Sequence, residues 1–119
     1  MKQWFVALML LALGLAAPIP AQAQSMEACS HDPTISSLRD CVQHAAQVGH
    51  IDNSGVAYSL IIKLGTAQLA LERGQSGAAI NLLEAFVSQV RAQAGKHIHQ
   101  EHANHMLMHA QEVIQALLR

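Results

Sequence analysis

Aromatic side chains are scarce. Trp4 and Phe5 stand near the N-terminus, and Tyr58 and Phe86 are the only others. The stacking platforms that single-stranded nucleic acids use are therefore missing. Charge is sparse as well, with 13% Asp, Glu, Lys and Arg, 7 basic against 8 acidic residues. The basic residues after the N-terminal stretch are scattered at 39, 63, 73, 91, 96 and 119, so no basic surface follows a phosphate backbone and nucleic-acid partners are excluded. Beyond position 20 the one proline is Pro33, and no period-two run of β-formers occurs, which leaves long helices uninterrupted. Enzyme signatures are equally lacking. HExxH is absent, since HQEH at 99–102 has the wrong spacing, and GxSxG, a phosphate-binding glycine loop and CxxCH are absent too. Glu84, Glu101 and Glu112 are isolated helix acids, and no nucleophile has an activating base beside it. The chain is expected not to be an enzyme.

The first 23 residues do carry a pattern. Lys2, the apolar run FVALMLLALGLAA, the Pro18-Ile19-Pro20 break and the small-residue end Ala21-Gln22-Ala23 make a secretory signal peptide. Cleavage after Ala23 predicts an N-terminal arm at 24–32 and one helical domain at 33–119, periplasmic or secreted, with no transmembrane segment once the leader is removed. An exported chain with two cysteines pairs them by default, so Cys29 and Cys41 are read as a disulfide. The set Cys29, His31, Cys41 and His44 also has the composition of a Cys2His2 metal site, although it lacks the usual CxxC pair.

Helical periodicity fills the rest. Asp32-Pro33 predicts a helix start, and Ile35, Leu38, Val42 and Ala45 repeat at three and four up to the stop at Gly49, with His44 on the solvent side. In the connection HIDNSG, Ile51 plugs the bundle end and Asp52, Asn53 or Ser54 caps the second helix, Gly55–Arg73. Leu60, Leu64, Ala67 and Leu71 form the stripe of that helix, widened by Ile61 and Leu69. Gly65, inside it, marks the close approach of a neighbour. Ser76 is the expected cap of a third helix, Gly77–Ala94, that buries Ala79, Ile80, Leu83, Phe86, Val87 and Val90. Gly95 ends it, and a fourth helix runs from His99 or Gln100 to Leu118. Short connections between such helices predict an all-α, antiparallel four-helix bundle with a shorter first helix.

Histidine is abundant, with 8 in the chain. In HxxHxxxH, the residues His102, His105 and His109 share one flank of the fourth helix within about 11 Å of rise. They can hold Cu(II), Ni(II) or Zn(II), with His97 or His99 completing the shell. The competing reading is a solvated helix face whose imidazoles repel one another in acid.

The segments GHIDNSGVAYSLIIKLGTAQLALERG at 49–74, AAINLLEAFVSQVRAQAGKHI at 78–98 and the terminal AQEVIQALL resemble the FIMAH domain, a small helical module appended to many secreted or surface-associated bacterial hydrolases. The family-like positions are Ile51, Gly55, Ser59, Leu60, Lys63, Leu64, Asn81, Leu83, Phe86, Val90, Gly95, Lys96 and Ile98. Most are core, cap or turn residues. The resemblance implies a non-enzymatic accessory module with a protein or cell-envelope partner. The alternative is a small periplasmic transition-metal-binding protein that uses the histidine-rich helix. Asn81 and Gln89 are expected to bond across helices.

Overall fold

The structure, a computed structural model, describes residues 29–119. The expected leader, residues 1–23, and most of the expected N-terminal arm lie outside the described residues. Four helices follow in order: α1 (Ile35–Gln47), α2 (Ser54–Glu72), α3 (Ser76–Gln93) and α4 (Gln100–Leu118). Each packs on its neighbour in sequence and α4 closes on α1, which gives the four-helix bundle with a short first helix.

Local chemistry explains the boundaries. Thr34, in extended backbone, accepts a hydrogen bond from Ser37 N at 3.1 Å and caps α1. Asp32 therefore is not the cap, and its carbonyl serves another purpose described below. Asn53 Oδ1 accepts from Val56 N at 2.9 Å and caps α2. Ser76 lies inside α3 rather than before it, and Gln75 precedes the helix without a side-chain cap. Gly49, Gly74 and Gly95 turn the chain after α1, α2 and α3 with φ of +90°, +76° and +78°. At Gly95 an added Cβ would also meet Gln100 Oε1 at 3.3 Å. Gly95→Ala is expected to lower stability by about 1–2 kcal/mol in urea unfolding, whereas an unchanged midpoint would show that the turn relaxes.

The core draws on all four helices, with Leu38, Val42, Leu60, Leu64, Leu83, Phe86, Val90 and Val113 fully enclosed. The close approach expected at Gly65 is not found: an added Cβ there would meet only the guanidinium of Arg39 from α1, at 3.6 Å, an ordinary contact with the end of a flexible side chain. Leu69 does not widen the buried stripe; it is exposed, as are Tyr58 and Ile62 on the same helix. The α2 span Ser54–Glu72 is long and apolar enough to cross a membrane, and Ala57, Leu60, Leu64, Ala67 and Ala70 of that span are buried in the bundle. Asn81 is exposed and reaches no neighbouring helix, because it falls opposite the Leu83–Phe86 stripe. Gln89 does reach across: Ser59 Oγ donates to its Oε1 at 3.1 Å, and Lys63 Nζ donates to Ser59 Oγ at 3.0 Å.

Two connections meet at one end of the bundle. Ile51 and Ile98 form an antiparallel bridge, with Asp52 N donating to His97 O at 3.0 Å and His99 N donating to His50 O at 2.9 Å. Both isoleucines are buried and plug the bundle end. Side chains alternate sides along extended backbone, so the residues on either side of each isoleucine face away from the core.

Candidate metal centre

The register of this bridge builds the site. Residue 51 opposes 98, so His50 opposes His99 and Asp52 opposes His97. The ring centroids of His50 and His99 are 5.5 Å apart. His102 follows His99 by three residues in the first turn of α4, and its ring stacks on His50 at 3.5 Å and 20°. One ligand atom from each of His50, His99 and His102 lies within 4.8 Å of those of the other two.

Three neutral imidazoles make a nitrogen donor set suited to Zn(II), Cu(II) or Ni(II). Ligands on a tetrahedral ion at about 2.0–2.1 Å stand about 3.3 Å apart. Exposed His99 and half-buried His50 have room to turn to that spacing, which means unstacking His50 from His102. His102 Nδ1 is buried and has no hydrogen-bond partner. Burial, then the charge of nearby His50, holds the His102 pKa below the ordinary histidine value, with Glu101 opposing. Near neutral pH this imidazole therefore keeps a free lone pair. The first turn of a helix is a poor place for a cation, and Glu101 there supplies compensating negative charge.

This depressed pKa sets a pH dependence for the metal-free protein. His102 is neutral in both folded and unfolded chains above pH 6.5, so it contributes no slope there. Below 6.5 the unfolded chain takes up the proton first, and stability falls as the pH drops toward the folded-state value. The thermal midpoint is expected to decline between pH 7.5 and 5.5, by less in His102→Ala; the same decline in both would contradict this assignment.

The other histidines separate. His97 belongs to the same bridge, but its Nδ1–H donates to Asp52 Oδ1 at 2.8 Å, in a pair distinct from the triad. His105 is exposed, and its ring is 6.3 Å from that of His102. His109 is 2% exposed, and its Nε2–H donates to Asp32 O at 2.7 Å while its ring lies 5.1 Å from that of His31. It pins the N-terminal arm to α4. The expected His102, His105 and His109 flank thus divides: His102 joins the triad, His105 borders it, and His109 has a structural partner. Of the two residues expected to complete a shell, His99 lies in the triad and His97 does not. His50 was not among the expected ligands, because it lies outside the helical register that links residues 97–109. Its signal was the pairing of two plug motifs, His50-Ile51-Asp52 and His97-Ile98-His99.

A groove between α1 and α4 continues from the triad. This cavity of about 240 Å³ is lined by His31, His44, His50, His102, His105 and His109, and by Cys29 and Cys41. His44 is half-buried in it rather than on an open face. Cys29 and Cys41 are joined in a disulfide, with Cα atoms 4.9 Å apart. With both sulfurs in that bond, the Cys2His2 alternative does not describe this state.

Bundle and groove together define a small all-helical module with a histidine-lined face at one end. The FIMAH domain family model matches residues 35–115, and the chain belongs to that family. No curated protein and no solved structure matches it.

Proposed function

We propose that this protein is an exported, non-enzymatic FIMAH module that binds one transition-metal ion, Cu(II), Ni(II) or Zn(II), through His50, His99 and His102. The observation that carries this reading is the convergence of three imidazoles, two from connections and one from the first turn of α4, with donor atoms within 4.8 Å of one another. The unpartnered Nδ1 of His102 supports it, because a buried polar atom without a partner is uncommon and costly. Periplasmic or secreted placement rests on the leader sequence, and the disulfide accords with it.

Calorimetric titration of the oxidised protein with each ion tests the proposal. One ion per chain, bound tighter than ~1 μM and lost in the His50→Ala/His102→Ala double variant, is the expected result. Weak binding that the double variant leaves unchanged would overturn it. Contact with a protein or envelope partner is a second reading, favoured by Tyr58, Ile62 and Leu69, which are 68%, 47% and 52% exposed on α2.

A further inference from the structure

The Cys29–Cys41 disulfide lies in the histidine-lined groove and takes no part in the triad. A ring nitrogen of His31 and the two sulfurs lie within 4.8 Å of one another. His44, one helical turn beyond Cys41, lines the same groove. While the disulfide stands, neither sulfur has a thiolate to give. Its reduction changes the chemistry of the cluster. A dithiol delivers two electrons and two protons, the S–S bond breaks, the dithiol becomes a disulfide, and Cys29 and Cys41 become thiols. Each thiol then releases its proton when its sulfur binds a cation.

We propose that reduction of Cys29–Cys41 opens a second metal site, with Cys29, Cys41 and His31 as ligands for a thiolate-seeking ion, Zn(II) or Cu(I). Two thiolates and an imidazole make a softer donor set than the three imidazoles of the triad, so the two sites differ in the ions they prefer. Thiolates on a tetrahedral ion at about 2.3 Å stand about 3.8 Å apart. Cysteines with Cα atoms 4.9 Å apart reach that spacing by side-chain rotation. The arm carrying Cys29 and His31 has anchors besides the disulfide. Ser37 Oγ donates to Ser30 O, and His109 Nε2–H donates to Asp32 O at 2.7 Å. These bonds keep the ligands beside Cys41 after the S–S bond is cut. His44 or water fills the fourth position.

The site shares no ligand with the triad, and its test is arranged accordingly. The His50→Ala/His102→Ala protein is reduced, freed of reductant without air and titrated with Co(II) as the spectroscopic probe. The expected result is one equivalent bound with a sulfur-to-cobalt charge-transfer band, absent from the oxidised protein and from Cys29→Ser, and at least tenfold weaker binding in His31→Ala. The wild-type chain is expected to bind one more equivalent reduced than oxidised, which gives the same test if the double variant fails to fold. A reduced chain that keeps its helical circular dichroism but shows no such band overturns the proposal. So does helical signal lost on reduction and not restored by Co(II), or a band whose affinity is indifferent to His31→Ala.

Discussion

His50→Ala is expected to weaken Cu(II), Ni(II) or Zn(II) binding by about 100-fold or more, the largest functional effect of any single substitution in the α1–α2 connection. Removing a group that only orients a ligand already costs 10- to 100-fold, and in the proposed centre His50 would supply a ligand atom itself. A hundredfold loss corresponds to about 2.7 kcal/mol. The side chain is also half of the stack with His102, and no other residue of the α1–α2 connection places an imidazole there. His105→Ala is expected to cost less, because its ring stands 6.3 Å from His102 and it serves at most as a fourth donor. His97→Ala is expected to leave affinity unchanged, since its Nδ1 is engaged with Asp52. Competition against a chromophoric chelator ranks the three variants. The account fails if His97→Ala is as damaging as His50→Ala.

Phe86→Ala is expected to destabilise the bundle by about 3–5 kcal/mol, the largest stability effect of any one substitution. Phe86 is the largest fully enclosed side chain among the described residues, and its removal leaves a cavity that neighbours anchored in three-dimensional packing fill only in part. A domain of this size has a net stability of about 5–10 kcal/mol, so about a third of it or more is at stake. The thermal midpoint should fall by between about 12 and 40 °C. A fall of less than a few degrees would show that α3 is not the centre of the core. The other aromatic of the bundle offers the control: exposed Tyr58 replaced by alanine should change the midpoint little.

The helices were legible because their signals are local. Three-and-four spacing located the cores of α1 to α3, and Gly49 and Gly95 marked the ends of α1 and α3, each at positive φ in the structure. Cap identity was less legible. Asp32, Thr34, Ser76 and Gln75 compete within a residue or two, and tertiary contacts decide among them; Asp32 gives its carbonyl to His109 across the groove. His109 itself was grouped with His102 and His105 on one flank because periodicity sees one helix, while the arm that it bonds at Asp32 lies across it. The triad was legible only in part for the same reason. His99 and His102 lie in the visible run, but His50 reaches them through a bridge between connections about 50 residues apart, and helical spacing carries no information about such a pairing. The family-like residues Ile51 and Ile98 were the available clue. As buried plugs they fix the bridge register, and the register in turn places His50 beside His99 and Asp52 beside His97.

The most direct test of the metal centre is a crystal structure of the oxidised protein grown with one equivalent of Zn(II), read from the anomalous signal at the zinc edge. One peak is expected at about 2.0–2.1 Å from a ring nitrogen of each of His50, His99 and His102, with the His50–His102 stack opened to admit it. A peak at His97 and Asp52, or an intact stack with no peak beside it, would contradict the account.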